Sequence, residues 1–281
     1  MTEVGEIMSS PVFAVSMSDN LARARNLMLR NGVSRLVVMD GEDLKGIVTK
    51  KDLAARLNQA EPQWRRRPLD SIPVEIVMTP NPITVTSNIP VQEAAALMLE
   101  NEISSLIVFD DRVKGIVTKH DLVKFFTLLG CNLRVGDMMS SNMLKVSRHH
   151  TINSIMDLMD ENEAENVIVT DGLETSPYVG FINMADLGFV EINPRHVKDI
   201  KETRKESYAG QKKYRHFREA MIVAEDVMST PLASVKREDK AVDAARIMVD
   251  NNYDALPVIN GELTGQFNYM NILKWLSEAP E

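Results

Sequence analysis

The residues best suited to chemistry stand in two short runs, Gly46-Ile-Val-Thr49-Lys50-Lys51-Asp52 and Gly115-Ile-Val-Thr118-Lys119-His120-Asp121. Each reads as an apolar strand that ends at a threonine, where a helix begins. At such a junction the free backbone N–H groups and the positive end of the helix dipole face any anion placed nearby. Lys50, Lys51, Lys119 and His120 add positive charge, and the hydroxyls of Thr49 and Thr118 can donate to a phosphate or ribose oxygen. Asp52 and Asp121 are acceptors suited to the hydroxyls of a ribose. The same Thr-x-x-Asp spacing can also cap a helix with no ligand involved, as the Ser/Thr-x-x-Glu box does. Two instances at equivalent places, each flanked by cations, favour ligand binding over capping alone.

The elements that position these runs repeat along the chain. Four segments open alike, at Val4-Gly-Glu-Ile-Met8, Val74-Glu-Ile-Val-Met78, Val135-Gly-Asp-Met-Met139 and Ala224-Glu-Asp-Val-Met228. Each continues through a short strand, an amphipathic helix and a second apolar run. An Asp/Gly/Asn turn follows, then a third strand expected to begin at Gly46, Gly115, Gly180 or Gly265, and a closing helix. From opening methionine to glycine the spacing is 38, 37, 41 and 37 residues. Fixed self-similarity of this kind marks a repeat architecture. The predicted fold class is α+β (mixed α/β), with βαββα repeats at residues 4–57, 74–126, 135–190 and 224–276 and linkers at 58–73 and 191–223. One unit cannot bury its own sheet, so the repeats are expected to pair, the first with the second and the third with the fourth.

The βαββα order, the Val-x-x-x-Met opening and the Gly-Ile-Val-Thr-Lys-x-Asp-Leu closing runs resemble CBS domains, which pair into Bateman modules. In layout the chain is similar to the γ regulatory subunit of AMP-activated protein kinase. The resemblance implies a non-enzymatic regulatory protein whose adenosine ligands lie between paired repeats. By motif position the first site would use Ile47, Thr49, Lys50, Asp52 and Arg35, with Ala94, Ile103 and Ser104 lining the base. The second would use Ile116, Thr118, Lys119, His120 and Asp121, with Ala24, Val33 and Ser34. Ser105 stands where the first site has Arg35, so the first site is expected to favour more phosphates. The implied ligands are AMP, ADP, ATP or S-adenosylmethionine, with no catalytic cofactor.

The second pair departs from this pattern. The third repeat keeps an acid but loses the threonine and cations, at Asn183 and Asp186, which are the weaker candidates. The fourth reads Asn268-Tyr-Met-Asn271 and loses the acid as well. Glu165 and Asp254 replace Ser34 and Ser104, and a carboxylate there would repel phosphate. This pair is expected to be mainly structural or a weak binder, with a neutral or cationic adenosine compound as its best fit.

Composition bounds the rest. A net charge of −8 argues against a general nucleic-acid binder. The residues from 191 to 223 carry nine Lys/Arg against five Asp/Glu, with Tyr208, Tyr214 and Phe217 interleaved. They suit either nucleic-acid or acidic-partner docking, or a solvated helical linker packed by its aromatics. Arg65, Arg66 and Arg67 form a smaller basic run in the first linker. Cys131 is the single cysteine and has no base nearby in sequence. His149-His150 lack partners at metal-ligand spacing, so no metal site is predicted. With no signal-peptide run and no apolar stretch of membrane-spanning length, the chain is expected to be cytoplasmic. A separate regulated protein and a homodimer are the protein partners this layout allows.

Overall fold

The structure, a computed structural model, describes residues 2–57, 69–172, 177–187, 197–204, 213–220 and 222–279. The first repeat comprises α1 (Val4–Ile7), β1 (Ala14–Ser16), α2 (Leu21–Asn31), β2 (Arg35–Asp40), β3 (Asp43–Thr49) and α3 (Lys50–Leu57). The second opens with a 3₁₀ turn at Val74–Ile76, followed by β4 (Thr79–Pro80), β5 (Thr84–Val85), α4 (Val91–Glu100), β6 (Ser105–Phe109), β7 (Val113–Thr118) and α5 (Lys119–Phe126). The third has α6 (Val135–Met138), β8 (Leu144–Ser147), α7 (Ile152–Glu161), β9 (Asn166–Thr170), β10 (Tyr178–Asn183) and α8 (Met184–Leu187). Two long strands, β11 (Val197–Arg204) and β12 (Lys213–Ala220), precede α9 (Ala224–Val227), α10 (Ala241–Asn251), β13 (Ala255–Asn260), β14 (Glu262–Asn268) and α11 (Tyr269–Glu278) of the fourth.

Within a repeat the first strand runs parallel to the second, and the second pairs antiparallel with the third, as β1–β2–β3, β5–β6–β7 and β8–β9–β10 show. The crossover helix between parallel strands is what that pairing requires. Each helix buries one stripe. Leu21, Ala24 and Met28 of α2 and Val91, Ala94, Ala95 and Met98 of α4 are buried at helical spacing. In the fourth repeat the first strand shrinks to a single parallel bridge between Val235 and Val258.

The sequence placed the start of each third strand at its glycine, and the structure moves it upstream. β3, β7, β10 and β14 begin at Asp43, Val113, Tyr178 and Glu262. The glycine lies inside the strand, immediately after a register shift, as where Val38 pairs with Gly46 but Met39 with Leu44. The bulge re-aims the strand next to a close backbone neighbour.

That neighbour comes from another repeat. The Val4 and Gly5 N–H groups donate to Ile89 and Ser87 of the second repeat, and Ser9 exchanges both backbone bonds with Ile116. In return Val74 and Glu75 donate to Asp19 and Met17 of the first, and β4 pairs with β3. The openings are thus traded. The same trade places Val135 on Asp239 and Ser140 on Gln266, and places Ala224 on His150 and Ser229 on Phe181. The leading residue of every opening, Val4, Val74, Val135 or Ala224, is 0% exposed. Burying each valine contributes roughly 2 kcal/mol.

The chain divides into two compact units, Met1–Met143 with Ala233–Glu281, and Leu144–Leu232. In the first, the helices of the second and fourth repeats share one core, with α11 on α4 and α5 and α10 on α5. Phe126 and Trp275 meet there edge to face, with ring centroids 5.3 Å apart. Cys131 packs partly buried against this core. The second unit has its own core, centred on Ile155, Met159, Val167 and Val169.

Residues 197–204 and 213–220, for which a helical linker was one expectation, form an antiparallel ribbon instead, in a register that sets Thr203 opposite Tyr214 and Ile200 opposite Phe217. Arg65, Arg66, Arg67, Arg195 and Tyr208 lie outside the described residues.

Candidate functional site

Thr49 closes β3 and starts α3. Its N–H and its Oγ1 both donate to Asp52 Oδ2 at 2.7 Å, and the Asp52 N–H returns a bond of 3.2 Å to Thr49 Oγ1. Thr118 and Asp121 repeat this at the start of α5, with distances of 2.8, 2.7 and 3.3 Å. Each pair is therefore a reciprocal capping box that fixes the threonine and the acid relative to the helix end. Capping and ligand binding are not exclusive, because the box locks the rotamers of the residues that an anion or ribose would meet.

The two helix starts are tied together. The Lys50 N–H donates to the Ser34 carbonyl at 2.8 Å, and the Lys119 N–H donates to the Ser104 carbonyl at 3.1 Å. Arg35 Nε reaches Ser34 Oγ at 3.3 Å, and its Nη1 crosses from the first repeat to the same Ser104 carbonyl at 2.6 Å. A charged donor on a carbonyl in a part-buried setting is a strong contact. Arg35, Ser34, Lys50, Ser104 and Lys119 thus form one connected set across the paired repeats.

The other residues named from the sequence fall into three groups. Ile47 and Ile116 lie in β3 and β7 beside the exchanged openings, bridged to Thr79 and Ser9. Val33 and Ile103 are partly buried, and His120 is exposed. Ala24 and Ala94 are 0% exposed on the core faces of α2 and α4, so the structure brings them to the core and leaves them no surface toward solvent.

Sequence reasoning missed the residue that follows each opening methionine. Ser9, Thr79, Ser140 and Ser229 all carry a hydroxyl. Ser9 Oγ donates to Asp121 Oδ1 at 3.3 Å, and Asn271 Nδ2 lies 3.5 Å from Ser140 Oγ. The signal was a hydroxyl at the same place in four openings, and only the exchange reveals where it points.

In the fourth repeat Asn268 and Asn271 build an amide version of the capping box, with bonds of 2.9 and 3.1 Å. The fold there survives the loss of the acid, and the negative charge does not. In the third repeat Asn183 Nδ2 donates to Asn166 Oδ1 at 3.0 Å. The Asp186 side chain lies outside the described residues. His150 Nδ1 accepts the Ser147 N–H at 3.1 Å. No group of three or more His, Cys, Asp or Glu side chains that could hold a metal occurs among the described residues. No helix among them is long and apolar enough to cross a membrane.

Among the described residues, Arg148 and Glu225 of the second unit have clearly shifted pKa values. Arg148 donates Nε to Glu225 Oε2 at 3.1 Å and also bonds Asp171 and the other Glu225 oxygen. Those hydrogen bonds raise the guanidinium pKa further and hold the Glu225 carboxyl below its ordinary value. The cluster fastens α9 to the third repeat, so its role is in assembly.

Paired βαββα units with exchanged openings, and Thr/Asp helix starts linked through Arg35 and Ser104, define a tandem repeat protein. The chain belongs to the CBS domain family, whose model matches residues 4–59, 74–127 and 223–278. It is 34% identical over 129 residues to a CBS domain-containing protein of Dictyostelium discoideum, a match covering 43% of this chain and 88% of that one. It is 27% identical over 191 residues to the uncharacterised protein MJ1404 of Methanocaldococcus jannaschii, covering 65% of this chain but 42% of the relative. The chain therefore spans less than half the length of MJ1404. Among solved structures it is similar to MJ1225 of the same organism, described as a candidate archaeal homologue of the AMP-activated kinase γ subunit. That likeness has a TM-score of 0.79 at 18% identity and covers 98% of this chain and 99% of the other. It extends the shared fold over the third repeat, where the family model has no match.

Proposed function

We propose that the chain is a non-enzymatic regulatory protein of the cytoplasm. Its first module, repeats one and two, binds an adenosine compound such as AMP, ADP, ATP or S-adenosylmethionine. The observation that carries this reading is the Arg35–Ser104–Lys119 link, which joins two cation-flanked helix starts of α3 and α5 across the paired repeats. A ligand seated at either start would touch groups of both repeats. It would favour the packing in which those groups converge, and so shift the population of module states that a regulated partner meets. Arg35 serves the first site and has Ser105 as its counterpart, so the first site favours the more highly phosphorylated ligands.

A ligand that binds the folded chain alone raises its melting temperature by an amount that grows with the logarithm of ligand excess. Melting the chain with each of the four compounds is the experiment. A rise with at least one supports the reading, and no rise with any contradicts it.

A further inference from the structure

Lys119 and Tyr269 hold the same place in their repeats, the first residue of the closing helices α5 and α11. These helices pack on each other in the first unit. The Lys119 ammonium lies 3.4 Å from the centroid of the Tyr269 ring, and Tyr269 is 4% exposed. An ammonium over an aromatic face is drawn by the ring quadrupole, and more strongly where water is excluded. A second lysine at position 269 would instead set two like charges together. The aromatic residue of the fourth repeat therefore suits the cation of the second. Lys119 also joins the link between the paired repeats through its backbone, since its N–H shares the Ser104 carbonyl with Arg35.

We propose that Tyr269 is a positioning residue for the second adenosine site: its ring holds the Lys119 ammonium at the Thr118–Asp121 helix start, ready for a ligand phosphate. This rests on the reading of the first module as nucleotide-binding. The ring attracts the charge as a whole and takes up no particular N–H, so a phosphate oxygen does not have to displace it. Phosphate recognition in the first module then depends on a residue supplied from outside it. The fourth repeat, which lost the acid and cations of the motif, keeps a task in its neighbour's site.

The test is calorimetric titration of the full chain with AMP and with adenosine, in wild type, Tyr269→Leu, Tyr269→Phe, Lys119→Ala and the Lys119→Ala/Tyr269→Leu double variant. Tyr269→Leu should weaken AMP roughly 3- to 10-fold and shift adenosine by less than about 2-fold, because only the phosphate meets Lys119. Tyr269→Phe should bind as wild type. Tyr269→Leu should add nothing once Lys119 is alanine. The inference is overturned if Tyr269→Leu binds AMP as wild type does, if AMP and adenosine weaken equally, or if the two substitutions simply add. A readout without ligand protects against a poorly folded leucine variant: ring-current shielding of the Lys119 side-chain methylenes by NMR, present in wild type and Tyr269→Phe. Absence of that shielding in wild type also overturns it. If wild type binds neither compound, this inference fails, and the nucleotide reading fails with it only if ADP, ATP and S-adenosylmethionine also leave the melting temperature unchanged. If wild type binds and Tyr269→Leu is silent, this inference alone fails.

Discussion

Met8 of the first repeat covers the α-carbon of Gly115 in the second so closely that a β-carbon at 115 would lie 2.5 Å from the Met8 sulfur and 2.9 Å from the Ser9 carbonyl oxygen. The return contact sets Met78 and the Thr79 carbonyl against Gly46, at 2.9 and 2.8 Å from a β-carbon there. The two residues that recur most visibly in each repeat are therefore partners across repeats. Gly115→Ala should destabilise the chain by about 1–3 kcal/mol, since a backbone carbonyl cannot move aside as a thioether can. Shortening Met8 to alanine should relieve only part of that cost, which a double-mutant cycle by denaturant unfolding reads directly.

The interface of the second and fourth repeats makes a separate prediction. Phe126 is 0% exposed and meets Trp275 at an interplanar angle of 78°. Phe126→Ala should cost about 3–5 kcal/mol through the cavity it leaves. The coupling to Trp275→Leu in a cycle should be about 0.5–1.5 kcal/mol. Additive effects would mean that the ring pair contributes no more than its burial.

In the second unit the Arg148–Glu225 contact predicts a pH dependence. Hydrogen bonds from Arg148 hold the Glu225 carboxyl below its ordinary value of 4.5. A depressed carboxyl stabilises the fold at pH values above its unfolded pKa and loses that contribution as pH falls through its folded pKa. Wild type should therefore lose more stability than Glu225→Gln between neutral pH and the region below 4.5, and added salt should shrink the difference because Glu225 is exposed and Arg148 only half-buried. Melting curves of both chains across that range check it.

Arg35 carries a prediction about selectivity. Its guanidinium already bonds the Ser104 carbonyl. Arg35→Met should lower affinity for ATP and ADP by roughly 10-fold while adenosine changes little, because a charged bidentate donor acts on phosphate and not on the base. Competition binding with the three compounds reads the ratio.

Local features were legible in the sequence because they rest on local periodicity and caps. The βαββα order, the helices with their buried stripes and the Thr49–Asp52 and Thr118–Asp121 helix starts all follow from residues within a few positions of one another. Partners from other repeats were not legible. That Met8 covers Gly115, that Ser9 reaches Asp121, or that Lys119 sits on Tyr269 depends on openings and closing helices meeting residues of other repeats, and no spacing within one unit encodes that. The glycine was misplaced for the same reason. It reads as a strand start from its neighbours, while the bulge before it answers to the opening of another repeat. The 191–223 segment misled through composition, since charge with interleaved aromatics fits a helix and a β-ribbon equally.

The central claim is that Asp52 and Asp121 stand at two adenosine sites. Calorimetric titration of AMP into wild type and into the Asp52→Ala/Asp121→Ala variant, shown by its melting curve to remain folded, tests it most directly. The account predicts saturable binding by wild type and a loss of at least about 10-fold in the variant, since each substitution removes an acceptor for ribose and half of a capping box. Binding of AMP by the folded variant as tightly as by wild type would contradict it.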